Sequence, residues 1–178
     1  WSDTGQWSDA SGGNTSSLTP QSNSKLIFDN NSFSQAVHTV TLDQDYEVAG
    51  IVSLNNKEVT FDLGGNTLTV SGSVIIGAPR FTITNGTLIL KNENADQTFN
   101  IDLDQTKTSN LQLVIADDNA ATWTINSSDL SLSALSVLNG TCSVSNSELN
   151  LSDLTVGNSA TFIGIRNVSI QMYASMRD

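Results

Sequence analysis

The chain reads as all-β: a right-handed, single-stranded parallel β-helix, or solenoid, of about six to seven coils of roughly 20 residues each. Three observations predict it. Apolar leads recur at Val40, Val59, Phe81, Phe99, Trp123, Cys142 and Phe162, with gaps of 19, 22, 18, 24, 19 and 20 residues. Each of the first six opens a two-residue alternation, as in Val40-Thr41-Leu42, Phe81-Thr82-Ile83 and Trp123-Thr124-Ile125. Period two marks a strand with one buried and one solvated face, and a near-constant interval marks a stacked repeat. Third, the late coils show three short alternating segments joined by polar corners.

Residues 1–24 differ from the rest. Trp1 and Trp7 sit in a polar setting, followed by Ser11-Gly12-Gly13-Asn14-Thr15-Ser16-Ser17 and Pro20. This stretch is expected to be a lead or cap segment, with the two tryptophans folding as a lid over the first coil. The solenoid is then expected over 25–178. Lys25-Leu26-Ile27-Phe28-Asp29-Asn30 reads as its first strand. Val40-Thr41-Leu42 and Val59-Thr60-Phe61 follow, then Leu68-Thr69-Val70 with Val74 and Ile76, and Leu88-Ile89-Leu90 after Asn85-Gly86. Residues 92–97 and 104–110 read as loops that bulge from the coil. Trp123-Thr124-Ile125, Leu130-Ser131-Leu132 and Leu135-Ser136-Val137 make one clean coil closed by Asn139-Gly140. One period later come Cys142-Ser143-Val144, Leu149-Asn150-Leu151 and Leu154-Thr155-Val156, closed by Gly157-Asn158. Val168-Ser169-Ile170 opens a last strand.

Asparagine occupies a comparable corner in several coils: Asn66, Asn85, Asn126, Asn146 and Asn167. It tolerates left-handed backbone angles, and its amide can bond to the same residue one coil away. These five are expected to form a structural ladder at the inter-strand spacing of ~4.8 Å. Asn-x-Ser/Thr triplets at Asn14, Asn30, Asn85, Asn126, Asn139, Asn150 and Asn167 arise by chance in a chain that is about one-third Ser, Thr and Asn.

Candidate chemistry is sparse, and neither a catalytic set, a cofactor site nor a metal site is assigned. The densest carboxylate groups are Asp43-Gln44-Asp45-Tyr46-Glu47, Asp102-Leu103-Asp104 and Asp117-Asp118. No calcium-binding nonapeptide or EF-hand spacing accompanies them, so solvated corner charges are the expected role. The bases Lys25, Lys57, Arg80, Lys91, Lys107, Arg166 and Arg177 fall on different coils. His38 is the only histidine and reads as a polar corner residue, with no Gly-x-Ser-x-Gly elbow beside it. Cys142 is the only cysteine; its place among the leads makes it a core thiol, and no intramolecular disulfide can form.

Net charge is −11, from 18 acidic against seven basic residues, with no basic stripe. That balance argues against nucleic acid and anionic membranes as partners. No apolar run is long enough to span a bilayer as a helix. The chain opens at Trp1 with neither an initiator Met nor a signal peptide, as a processed form or excised fragment would.

The opening Trp1…Trp7, the strand end Phe28-Asp29-Asn30, Thr39-Val40-Thr41-Leu42-Asp43 and Gly65-Asn66-Thr67-Leu68-Thr69-Val70 together resemble the start of bacterial autotransporter-type passenger repeats. The resemblance implies a secreted right-handed β-helix, usually a surface stalk, adhesin or matrix component, within the superfold shared with pectate-lyase-like enzymes. No catalytic Asp or Arg motif of those enzymes is matched. The expected function is a non-enzymatic extracellular structural or adhesive module. Two alternatives stand beside it: a fibre or sheath subunit stacking through its ends, and a polysaccharide-cleaving enzyme. The expected partners are surface glycans, host or matrix proteins, or further copies of the chain.

Overall fold

The computed structural model describes every residue except 4–5, 15–17, 34–36, 54–57, 73, 77–80, 92–98, 102–109, 118–121, 127–128, 146–147, 165–167 and 171–178. All regular structure within the described residues is strand. β1 (Lys25–Phe28) leads into successive turns. The first holds β2 (Val37–Thr41), β3 (Tyr46–Val48) and β4 (Gly50–Ser53); the second, β5 (Glu58–Asp62), β6 (Thr67–Val70) and β7 (Val74–Ile76); the third, β8 (Phe81–Thr84), β9 (Gly86–Leu90) and β10 (Phe99–Ile101). β11 (Leu111–Ala116) and β12 (Thr122–Asn126) follow. Then come β13 (Asp129–Leu132) with β14 (Ala134–Ser145), β15 (Glu148–Leu151) with β16 (Leu154–Gly164), and β17 (Val168–Ile170).

Every pairing is parallel and links strands one turn apart, which defines a three-faced β-solenoid. On the first face the core column runs Val48, Val70, Leu90, Ile115, Val137, Val156. The second face carries Leu26, Ile51 and Val74, then Phe99, Trp123, Cys142 and Phe162. The third carries Val40, Phe61 and Ile83, resuming with Leu132, Leu151 and Ile170. Alternation along each strand turns Thr and Ser outward at the intervening positions, for example Thr39, Thr60 and Thr82. The first two faces merge into one sheet because β14 and β16 run through their shared corner with only a bulge, between Val137 and Asn139 in β14.

Two expectations are corrected here. The seven leads do not form one column. Val59 and Phe81 share a column on the third face with His38, whereas Phe99, Trp123, Cys142 and Phe162 share one on the second. Val40 lies level with Phe61, not Val59. Phe81 and Phe99 therefore belong to the same turn, and counting leads overcounts coils. About five turns have all three faces among the described residues, against the six to seven expected. The cause is uneven coil length: Val70 to Leu90 is 20 residues, but Leu90 to Ile115 is 25. An 18-residue gap thus falls within one turn, and alternation looks alike on every face.

Val59, Trp123 and Cys142 are fully buried, while Val40 and Phe162 are partly buried against the same core. For Phe81, Phe99 and Ile170 only the backbone register is described.

Candidate functional site

The corner between the third and first faces holds the most specific polar arrangement. After β8, Asn85 adopts φ 56°, and before β11, Asn110 adopts φ 57°. Only residues with small, locally bonding side chains enter this region readily. The Asn85 amide donates to Asp62 Oδ1 at 3.2 Å, and the Asn110 amide donates to Asn85 Oδ1 at 3.5 Å. Backbone bonds run alongside: Leu63 N–H to Thr84 O, Gly65 N–H to Asn85 O and Gly86 N–H to Asn110 O. Asp62 also accepts from Gly64 N–H at 2.9 Å, closing the turn in its own coil. The ladder in this corner is thus Asp62, Asn85 and Asn110.

Of the asparagines expected to stack that fall among the described residues, only Asn85 lies in it. Asn66 sits in a corner widened by Gly64 and Gly65, and its amide donates instead to Leu42 O at 3.2 Å. Asn126 lies at another corner, ending β12 in register with Ser145. Asn146 and Asn167 lie outside the described residues. Asparagine frequency alone did not distinguish one corner from the next, and Asp62 was missed because a carboxylate takes the rung that an amide was expected to fill. Asn85→Ala is expected to destabilise by roughly 2–3 kcal/mol, combining left-handed strain with lost amide bonds. Asn85→Gly, which keeps the backbone angle, is expected to lose only about 1 kcal/mol. Urea unfolding of the two variants separates the contributions.

The acidic groups divide similarly. Asp45 Oδ1 accepts from Thr67 N–H at 2.7 Å, one coil on. Glu47 accepts the Ser71 hydroxyl, and Asp43 the Ser2 hydroxyl. The Ser2 bond holds the Asp43 carboxyl below its ordinary pKa; at Asp29 the Ser11 hydroxyl does the same, with burial opposing. Both groups thus favour the folded state above the usual carboxylate range, an effect lost as pH falls through their lowered values. Asp102, Asp104 and Asp118 lie outside the described residues. Asp117 is the exception to the surface role expected of it: it is 1 % exposed and accepts the Trp123 indole N–H at 3.0 Å. A buried carboxylate needs such donors because desolvation is otherwise costly. The pairing of a Trp lead with an Asp six residues earlier was its only trace in the sequence.

His38 is not a corner residue. It takes the inward position of β2, level with Val59, and stacks on Phe33 with ring centroids 4.3 Å apart. Cys142 is buried, and desolvation pushes its thiol up from 9.0 to about 12. Since the unfolded thiol ionises first, stability falls as pH climbs from about 9 towards 12. At pH 8 a thiol reagent is expected to leave Cys142 unlabelled in the native protein and to label it fully in denaturant.

Above the first turn, the lead segment packs as a lid. Trp1 lies against Trp7, Tyr46 and Phe61, at centroid distances of 5.1, 5.0 and 5.4 Å, and Trp7 reaches Phe28 at 6.5 Å. The terminal amine donates to Thr41 O at 3.1 Å, and the Trp7 indole N–H donates to Trp1 O at 2.9 Å. These contacts cover apolar side chains that the first rung leaves without a preceding coil.

Among the described residues, no group of three His, Cys, Asp or Glu side chains is placed to hold a metal ion, and no helix is long and apolar enough to cross a membrane. Comparison with known proteins finds no matching family model, curated protein or solved structure.

Proposed function

We propose that the chain is a non-enzymatic structural or adhesive β-helix module of a bacterial surface or secreted protein, of the autotransporter-passenger kind and wound right-handed. One observation carries the reading. Asp29, Asp43, Asp45, Glu47, Asp62 and Asp117 each hold a hydroxyl, a backbone N–H or an indole of the same chain. Carboxylates used in this way brace corners, whereas a hydrolase keeps two carboxylates facing a substrate across an open groove. The outward Thr and Ser columns supply a repetitive hydroxyl surface for weak, multivalent contact with surface glycans or matrix proteins. Incubation with a panel of acidic polysaccharides is expected to yield no new reducing ends and no unsaturated products. Multivalent display of the domain on beads is expected to retain at least one of them. Product formation sinks the reading in favour of cleavage.

A second reading, self-association through a solenoid end, draws support from β16. Val156 is 44 % exposed, yet Val137 directly beneath it is 0 % exposed.

A further inference from the structure

Two Asn-Gly-Thr tripeptides stand in the chain, Asn85-Gly86-Thr87 and Asn139-Gly140-Thr141, each at a corner between faces. Asn-Gly is the dipeptide most open to deamidation, because glycine has no side chain to shield its own amide nitrogen. That nitrogen bonds to the asparagine Cγ, ammonia leaves, and water opens the resulting succinimide to aspartate or isoaspartate. The two corners receive the product differently. The Asn85 amide donates to Asp62 Oδ1 at 3.2 Å, so a carboxylate formed there meets another carboxylate. Asn139 has uncharged register partners, Ala116 below and Ser159 above. The wound coil also controls when the reaction runs at Asn85. Gly86 N–H, the attacking group, is already bonded to Asn110 O at 3.2 Å. The Asn85 side chain is held at both ends, by Asp62 and by the Asn110 amide, which donates to Asn85 Oδ1 at 3.5 Å. Gly86 itself is wedged against the coil beneath, since an added Cβ would lie 2.4 Å from Asn66 O and 2.5 Å from Leu63 Cβ. Succinimide closure needs the nitrogen released and the amide turned onto it. The wound coil denies both, and the unwound chain permits both.

We infer that Asn85 is a deamidation site guarded by the wound fold, and that its conversion in the unwound chain blocks rewinding of this corner. Among the described residues, the side chains bonded to Asn85 are Asp62 from the coil beneath and Asn110 from the coil above, of which Asp62 alone titrates. Asp62 Oδ1 accepts both the Asn85 amide and Gly64 N–H, so the ladder is built around one carboxylate. A second one in place of the Asn85 amide removes a donor and adds a like charge at hydrogen-bond distance. Two such carboxylates bind a shared proton more tightly when folded than when unfolded. The stability of the converted corner is therefore kept at low pH and lost as pH rises through the pair's raised value. Conversion is irreversible, so Asn85 limits how long the domain can stay unwound and still recover.

Trypsin releases residues 81–91 as one peptide in which Asn85 carries the only side-chain amide, so mass spectrometry follows this site alone. Held at mildly alkaline pH, the whole chain is expected to convert at Asn85 roughly tenfold or more slowly when folded than in guanidinium. Equal rates in the two conditions overturn the guard. Asn85→Asp is expected to lower the urea midpoint at neutral pH and to approach the parent in mild acid. Should that variant not fold at neutral pH, Asp62→Asn combined with Asn85→Asp restores one carboxylate and one amide, and is expected to fold. An Asn85→Asp variant as stable as the parent at neutral pH, or a combined variant no better than the single one, overturns the block on rewinding.

Discussion

Trp123→Ala is expected to bring the domain close to unfolding at room temperature. The side chain is fully buried, level with Phe99 below and Cys142 above in one column. Truncating a buried Trp costs about 3–5 kcal/mol through lost burial and the cavity left behind. Asp117 also loses the indole N–H at 3.0 Å while remaining buried, and a lost hydrogen bond adds roughly 0.5–1.5 kcal/mol. The sum is comparable to the whole stability of an ordinary domain, ~5–15 kcal/mol. Because each turn contacts only its neighbours, the loss falls on the junction between the early and late turns. The denaturation midpoint, followed by circular dichroism, is therefore expected to drop steeply, with a smaller m-value as the halves uncouple. Trp123→Phe keeps most of the ring but removes the donor. It should lose a smaller amount. A Trp123→Phe variant as stable as the parent contradicts any energetic role for the indole–carboxylate bond.

That pair also shows where the sequence was readable. Alternation such as Trp123-Thr124-Ile125 reports burial directly, because a strand has only two faces, and Trp123 and Ile125 are both fully buried. The parallel solenoid followed from repeating that pattern. Which face each strand joins was not readable, since all three faces alternate alike; Phe81 and Phe99 were consequently assigned to successive coils. The corner ladder was legible at Asn85, whose Asn-Gly pair marks a left-handed turn, and illegible at Asp62, which precedes its turn by two residues. Asp117 reads as one more surface carboxylate until Trp123 is placed beside it. Long-range pairing between side chains on adjoining elements leaves little local mark, whereas strand polarity leaves a strong one.

The tightest constraint on the winding lies in the backbone, and alanine at two glycines is expected to expose it. A Cβ on Gly86 would stand 2.4 Å from Asn66 O and 2.5 Å from Leu63 Cβ, both in the coil beneath. Neither neighbour is a flexible side-chain end, so the two coils must separate. The bonds at risk are those that flank the contact, Thr87 N–H to Asn66 O and Gly86 N–H to Asn110 O. Gly86→Ala is expected to cost ~3 kcal/mol or more, at the upper end of overpacking losses. Gly65 presents the opposite case: nothing lies within 4 Å of its added Cβ, but its φ is +85°. Gly65→Ala therefore meets only left-handed strain, about 1–2 kcal/mol, and Gly65→Asn should cost less still. For a domain of this size, melting is expected to fall by about 6–12 °C for Gly86→Ala and about 2–8 °C for Gly65→Ala. Equal shifts at the two sites would mean that coil-to-coil contact at the corner does not limit the winding, and that turn conformation alone sets its cost.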